Sequence, residues 1–196
     1  MALAYSDIKV EIREISLRDR PTELYKASDK GTVPVLITQN NQIIDESLEI
    51  MIWALKNNSS QRWLSEDSNK EMELIKENDT TFKKWLDCYK YHDRYPKNPR
   101  EYYRDHCGNI LSRYEEKLNK TKYFLRDEIS ITDIAIFPFV RQFANVDYQW
   151  FENNYKLLVD WLNNMQTSNL FLSIMDKYDL WDKKNNSVIF NCNENL

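Results

Sequence analysis

Apolar residues recur at every second position near the start of the chain, which is the period of a half-buried strand. The alternation over 8–12 predicts one strand, and two short apolar runs at 33–37 and 42–44 predict two more. The pair Asn40-Asn41 separates the two runs and favours a tight turn. Together with the helix that follows, this hairpin predicts an α/β domain.

Beyond the hairpin the apolar positions follow the i, i+3, i+4 spacing of helices. One helix begins near Leu48, and Glu46-Ser47 stands where its N-cap belongs. Four more helices are predicted over 69–91, 98–119, 155–165 and 169–178. Another opens with Ser130 and Asp133 at the spacing of a capping box, a structural arrangement that satisfies the first N–H groups of a helix.

The chain divides into two predicted domains. The polar stretch 58–68 is typical of a linker. It separates an α/β domain over 1–57 from an all-helical domain over 69–196. The Asn-rich tail from residue 183 is expected to be loose, although its apolar triplet 188–190 could dock on the protein.

The composition is that of an ordinary globular protein: 196 residues with 42% hydrophobic content can fill a sizeable core. The 27 Lys and Arg residues against 31 Asp and Glu residues give a net charge of −4, whereas a nucleic-acid partner calls for a basic face. No apolar run approaches the roughly 18 residues of a membrane span, and no leader-like segment opens the chain. We therefore expect no nucleic-acid or membrane partner and a cytoplasmic location.

The cysteines indicate reduced thiols, because Cys88, Cys107 and Cys192 are odd in number and widely spaced. His92 follows Cys88 at a helical spacing, and His106 adjoins Cys107, but each pair offers only two ligands of the four that zinc requires. We expect no metal site, and Cys107 fits a helix core better than a nucleophile.

The order of these elements resembles a known family. A Val33-Pro34 pair before a hairpin, with Glu46-Ser47 opening the next helix, resembles the N-terminal thioredoxin-like domain of the glutathione S-transferases. The Ser-x-x-Asp box at 130–133, followed by an apolar helix, resembles the buried central helix of that family's C-terminal domain. The resemblance spans nearly the whole chain and implies a thioredoxin-like α/β domain followed by an all-helical bundle.

The resemblance also implies a site for glutathione. A cis Pro34 would turn the backbone of Val33 toward the cysteinyl moiety, while Glu46 and Ser47 would hold the γ-glutamyl end. Helix N–H groups favour a carboxylate, and Glu46 can accept from the ligand ammonium. Arg20 stands where omega-type members keep a lysine that reaches the glycyl carboxylate, a group that a guanidinium binds well.

Two of these assignments have simpler structural alternatives. Glu46-Ser47 taken alone is a plain helix cap, and the ligand interpretation depends on its spacing from the Val33-Pro34 hairpin. Arg20 can equally be a solvated loop charge.

The family's catalytic residue has no counterpart in the sequence. In the family a strand, a loop bearing a catalytic Cys, Ser or Tyr, and a first helix precede the strand predicted at 8–12. The segment 1–5 resembles the tail of that helix, so the first strand and the catalytic residue are expected upstream of Met1. Tyr5 and Ser6 lie at the wrong end of the helix to replace it. Without the first strand, the sheet must pair differently or be marginally stable.

The implied activity is transfer of glutathione to a small electrophile, or thiol exchange with a disulfide, with glutathione as substrate. Trp85, Tyr89 and His92 are candidates for the lining of an electrophile pocket; alternatively, Trp85 and Tyr89 belong to the core and His92 caps the surface. The resemblance also implies a homodimer. A noncatalytic binding or regulatory protein of the same fold is the alternative function.

Overall fold

The computed structural model describes residues 1–57, 62–64, 68–182 and 187–190. The chain forms two compact units, one made of 1–61 with 169–196 and the other of 62–168. The predicted domains differ from this division in two respects, since the sequence analysis assigns 169–196 to the helical domain and 62–68 to a linker. Most of the predicted linker 58–68 and most of the tail from 183 lie outside the described residues.

The first 57 residues alternate short helices and short strands. They are α1 (Ala2–Tyr5), β1 (Val10–Ile12), α2 (Thr22–Ala27), β2 (Leu36–Ile37), β3 (Ile43–Ile44) and α3 (Ser47–Lys56). β2 and β3 form the predicted antiparallel hairpin, with Leu36 opposite Ile44. Asn41 takes a positive φ of 59° in its turn, a conformation that Asn tolerates better than most residues. The strands are shorter than predicted, and the sequence analysis did not anticipate α2.

The regular secondary structure described within 62–168 is all helical, and non-helical loops such as 119–130 join the helices. The α-helices are α4 (Ser68–Glu77), α5 (Lys83–Lys90), α6 (Arg100–Leu118), α7 (Ile131–Ala144), α8 (Tyr148–Asn154) and α9 (Lys156–Gln166). A π-helical turn, Asn78–Phe82, joins α4 to α5, so the helix predicted over 69–91 is one run with a wider turn in its middle. The sequence analysis missed α8.

The last described segments return to the first unit. α10 (Asn169–Leu172) is much shorter than the helix predicted over 169–178. β4 (Val188–Phe190) pairs antiparallel with β1, with Phe190 opposite Val10. The backbone N–H of Trp181 also donates to the carbonyl of Glu14 at 2.8 Å. The triplet 188–190 therefore docks as a strand, and β1 does pair with a segment from the far end of the chain.

The core of the second unit surrounds Asp133, which is completely buried at the start of α7. Its carboxylate accepts from the backbone N–H groups of Ser130 and Phe124 at 3.0 and 3.1 Å, from the Ser130 hydroxyl at 2.7 Å and from the indole of Trp161 at 3.2 Å. Burial raises the pKa of Asp133, and the four donors oppose that shift. The capping box is confirmed, and Asp133 has the structural role predicted for it.

A second carboxylate holds the start of α9. Glu115 of α6 accepts from the backbone N–H groups of Leu157 and Leu158, each at 2.8 Å. These donors belong to the first turn of α9, where helix N–H groups have no partner within the helix. A side chain 42 residues away thus caps this helix.

Candidate functional site

The Val33-Pro34 peptide bond is cis, as the family resemblance implies. Val33 is 47% exposed in the segment that leads into β2. Pro21, the residue after Arg20, lines the same cavity of about 440 Å³ as Val33 and Pro34. Of the predicted glutathione-binding residues, this cavity brings together Val33 and Pro34, whereas Arg20, Glu46 and Ser47 do not line it.

Gly31 shapes the turn that precedes Val33. Its φ is +59°, and its backbone N–H donates to the carbonyl of Ser28 at 3.0 Å. A Cβ at this position would lie 2.4 Å from Cε1 of Tyr25. Glycine meets both requirements, because it adopts positive φ easily and has no Cβ.

The start of α3 carries the two residues that the resemblance assigns to the γ-glutamyl end. Glu46 is the N-cap with extended backbone angles, and no side chain makes a cap hydrogen bond there. Its carbonyl accepts from the N–H of Ile50 at 3.0 Å, which starts the helical ladder. Glu46 and Ser47 are both exposed. Glu46 is thus a cap by position only, and the N–H groups of the first turn can face a ligand carboxylate.

A small ionic network surrounds Glu46 and was not anticipated from the sequence. The Lys30 ammonium donates to Glu46 Oε1 at 2.5 Å and to Asp45 Oδ1 at 3.1 Å. The Ser28 hydroxyl donates to Asp45 Oδ2 at 2.6 Å. The only local signal is the turn-forming order Ser28-Asp29-Lys30-Gly31, which would have placed Lys30 in a turn but not beside Glu46.

This network shifts the pKa values of two of its members. The hydrogen bond from Ser28, followed by the one from Lys30, lowers the pKa of Asp45. The hydrogen bonds to Glu46 and then to Asp45 raise the pKa of Lys30. The start of α3 therefore presents one ammonium held between two carboxylates at neutral pH.

Arg20 lies at an exposed position immediately before Pro21, the N-cap residue of α2. It forms no hydrogen bond or ion pair with any residue that the structure describes. Such a guanidinium can approach a ligand carboxylate without breaking an existing contact.

The three candidates for the electrophile pocket occupy different environments. Trp85 stacks on His106, with ring centres 4.1 Å apart and planes 11° apart. His92 bonds through Nε2 to the carbonyl of Asn98 at 3.0 Å. Tyr103 lies between them, with its ring centre 6.4 Å from that of Trp85 and 6.2 Å from that of His92. Trp85 and His92 thus flank one aromatic ring.

Tyr89 belongs to the core, which is the alternative to a role in the electrophile pocket that the sequence analysis left open. It is 3% exposed and packs against Phe143, with ring centres 5.2 Å apart. The guanidinium of Arg100 lies 5.2 Å from the centre of its ring. Burial raises the pKa of the Tyr89 hydroxyl, so it is a weaker acid than an exposed tyrosine.

The described thiols are poorly suited to nucleophilic chemistry. Cys88 and Cys107 are both reduced and buried. Burial raises the pKa of each, and the effect is much larger for Cys107. Cys192 lies outside the described residues.

The described residues contain neither a cluster suited to a metal ion nor a helix suited to span a membrane. Within those residues, His, Cys, Asp and Glu side chains do not gather in any group of three that could hold a metal ion. No helix in the same part of the chain has the length and apolarity needed to cross a membrane.

Two family models match the sequence. Residues 1–63 match the glutathione S-transferase N-terminal domain, and residues 77–169 match the glutathione S-transferase C-terminal domain. A comparison with proteins of curated function finds no significant match.

Solved structures share the fold. The bacterial glutathione S-transferase BphK in a ternary complex matches with a TM-score of 0.74 and 15% identity, over 88% of each chain. Glutathione transferase URE2P6 from Phanerochaete chrysosporium, in complex with oxidized glutathione, matches with a TM-score of 0.76 and 14% identity, over 87% of this chain and 85% of its own. Glutathione S-transferase-I bound with lactoylglutathione matches with a TM-score of 0.71 and 16% identity, over 87% and 89%. The fold is a thioredoxin-like N-terminal part followed by a helical C-terminal part.

Proposed function

Because the chain belongs to the glutathione S-transferase family, we propose that its first unit binds glutathione. The observation that carries this proposal is the start of α3, where Glu46 is the N-cap but makes no side-chain cap hydrogen bond. First-turn N–H groups without a side-chain cap suit a carboxylate. Two structural neighbours carry glutathione or a glutathione derivative, which supports the same ligand.

Each end of glutathione has a matching group in this unit. The backbone N–H groups at the Ser47 end of α3 donate to the γ-glutamyl carboxylate, and Glu46 accepts from the γ-glutamyl ammonium. The backbone of Val33, a residue that is 47% exposed, pairs with the cysteinyl moiety as a strand edge does. Arg20 reaches the glycyl carboxylate.

Lys30 changes how Glu46 meets the ligand. The ligand ammonium and the Lys30 ammonium compete for the Glu46 carboxylate, but Lys30 also bonds to Asp45. Lys30 can therefore stay bound to the Asp45 carboxylate while the ligand ammonium binds to the Glu46 carboxylate, so that each carboxylate has one cation. Binding then breaks one exposed ion pair, which water screens strongly.

The proposed reaction is attack of the glutathione thiolate on a small electrophile, or its exchange with a disulfide. Trp85, Tyr89 and His92 remain the candidate contacts for the electrophile. Of these, Trp85 and His92 are the better candidates, because Tyr89 is 3% exposed.

A noncatalytic binding or regulatory role is the second candidate function. Within the described residues, Cys88 and Cys107 are buried with raised pKa values, so neither thiol supplies a catalytic nucleophile. A protein with this site could hold glutathione without lowering the pKa of the glutathione thiol.

Calorimetric titration with glutathione, together with a conjugation assay on an activated aryl chloride, tests both functions. Glu46→Ala and Ser47→Ala should each weaken binding by about tenfold or more, because each removes a partner of a charged group. Glu49→Ala, on the exposed side of the first turn of α3, is the matched control and should bind normally. Wild-type binding without conjugation would favour the noncatalytic role, and lack of binding would exclude both functions.

A further inference from the structure

The segment from the start of α5 to the start of α6 is strongly basic in a chain that is acidic overall. Residues 83–100 contain six lysines and arginines against two aspartates, a net charge of +4, whereas the whole chain carries −4. The basic surface, as we call this set of cations, consists of Lys83, Lys84, Lys90, Arg94, Lys97 and Arg100. Five of them are exposed and Lys90 is half-buried. Positive charge is therefore concentrated in one segment and presented to solvent.

The basic surface has no carboxylate partner within the described residues. None of its six members forms an ion pair there, whereas Lys30 and Arg113 each pair with a carboxylate elsewhere in the described chain. Asp87 and Asp93, the two acids of the segment, form no ion pair with a described residue either. Like charges that are not neutralised repel one another, so binding of an external anion to this surface is favourable.

An aromatic ring positions two of these cations at the end of α5. The Lys90 ammonium lies 4.8 Å and the Arg94 guanidinium 4.7 Å from the centre of the Tyr91 ring. Lys90 also donates to Oε1 of Gln142 in α7 at 2.9 Å. Contact with a ring face restrains a long cationic side chain and leaves its remaining N–H groups free to donate. The two cations are thus held side by side before any partner binds.

The loop between α5 and α6 is tied down by its own side chains. The Tyr103 hydroxyl donates to the carbonyl of Tyr95 at 3.0 Å. His92 bonds through Nε2 to the carbonyl of Asn98, also at 3.0 Å. A loop that is already held in place loses little conformational freedom when it binds a partner, which lowers the entropic cost of binding.

We propose that the basic surface binds an acidic segment of another protein, in which Asp and Glu residues follow one another closely. Carboxylates accept charge-assisted hydrogen bonds from ammonium and guanidinium groups, and several closely spaced carboxylates meet several unpaired cations at once. Complementary charge also accelerates the encounter of two proteins and excludes partners of the wrong sign. The proposed partner is therefore recognised by its charge.

Two rings beside the basic surface favour carboxylates over nucleic-acid bases. Single-stranded nucleic acids bind by stacking their bases on open aromatic faces. The Tyr91 ring already contacts two cations. Trp85 stacks on His106, with ring centres 4.1 Å apart, and the Lys84 ammonium lies 5.5 Å from the centre of the Trp85 ring. These two rings therefore position charge rather than offer stacking platforms.

Fluorescence anisotropy of labelled probes on the full chain tests the proposal. The acidic probe is Gly-Glu-Asp-Gly-Glu-Asp-Gly-Glu, and Gly-Gln-Asn-Gly-Gln-Asn-Gly-Gln has the same shape without the charge. An oligothymidylate of equal length tests nucleic acid as the partner. At about 0.05 M salt we expect the acidic peptide to bind, the amide peptide not to bind, and the oligothymidylate to bind more weakly than the acidic peptide. About 0.5 M salt should abolish the binding, because it screens exposed charges.

Two matched double variants locate the binding surface. Arg94→Gln combined with Lys97→Gln should weaken binding of the acidic peptide roughly tenfold, because it removes two exposed ion pairs with the peptide. Lys117→Gln combined with Lys120→Gln removes the same charge near the opposite end of α6 and should bind as the wild type does. Circular dichroism checks that both variants are folded.

Three results would overturn the proposal. They are equal binding of the acidic and amide peptides, equal losses of affinity in the two double variants, and tighter binding of the oligothymidylate than of the acidic peptide. Glutathione binding is measured separately and does not enter this result.

Discussion

The Lys30 ammonium lies 2.5 Å from the Glu46 carboxylate, and Glu46 is the N-cap of α3. A loop lysine is thereby held beside the helix start at which we propose that glutathione binds. Both side chains are more than half exposed, at 51% and 58%. Water screens this pair, so a ligand cation can replace Lys30 at a small energetic cost.

Lys30→Met should strengthen glutathione binding. In this variant only the ligand ammonium binds to Glu46. We therefore expect the affinity for glutathione to rise by up to about fivefold, which is the contribution of one exposed ion pair. Calorimetric titration measures the change, and Lys26→Met in α2 is the control. A loss of affinity in Lys30→Met would show instead that Lys30 contacts the ligand.

The carboxyl group of Asp45 should titrate below its ordinary pKa of about 3.9. A lowered folded-state pKa means that the ionised form stabilises the protein above the unfolded-state pKa. This stabilisation is lost as the pH falls through the folded-state pKa. The chemical shift of the Asp45 carboxyl carbon, followed by NMR between about pH 2 and pH 6, measures this folded-state pKa. Ser28→Ala should raise the pKa of Asp45, because that hydrogen bond is the largest cause of the shift.

Asp133→Asn should destabilise the protein strongly. The amide replaces one acceptor oxygen by a donor, which then faces N–H or O–H groups that have no other acceptor. We expect a loss of about 3 kcal/mol in the free energy of unfolding, measured by denaturant titration. Asp160→Asn, at an exposed position of α9, should change it by less than about 0.5 kcal/mol. Similar midpoints for both variants would contradict the structural role of Asp133.

Gly31→Ala should destabilise the turn before Val33 for two separable reasons. A positive φ costs a residue with a Cβ about 1 kcal/mol, and that Cβ would also meet the Tyr25 ring at 2.4 Å. Removal of the ring in Tyr25→Ala should relieve the second cost but not the first. A double-mutant cycle, in which denaturant titration gives the free energy of unfolding of each variant, separates the two costs. If the effects of Gly31→Ala and Tyr25→Ala are fully additive, the ring moves away from the new Cβ at no cost.

Ile189→Pro should uncouple β4 from β1. Proline lacks the backbone N–H and is poorly tolerated in a paired strand, whereas Ile189→Ala keeps the backbone groups. Hydrogen exchange at residues 10–12 should become faster in the proline variant and change little in the alanine variant. Unchanged exchange in both variants would mean that the pairing of β4 with Val10, Glu11 and Ile12 contributes little to the protection of their amides.

Local patterns predicted those elements whose signals lie within a few residues of one another. The Ser130 and Asp133 box predicted the start of α7, because both partners belong to the same helical turn. The hairpin of β2 and β3 followed from a turn between two apolar runs. α2 was missed because its six residues include none that is buried, and so they carry no apolar stripe.

The sequence by itself thus determined the family, the order of the main helices, the hairpin and the residues proposed to bind glutathione. The tertiary structure decided which distant groups meet: Phe190 opposite Val10, Glu115 at the start of α9 and Lys30 beside Glu46. Propensity and hydrophobic period act over a few residues of the chain. Strand pairing, helix capping by a remote side chain and exposed ion pairs depend instead on how the packed elements bring together groups 16 or more residues apart.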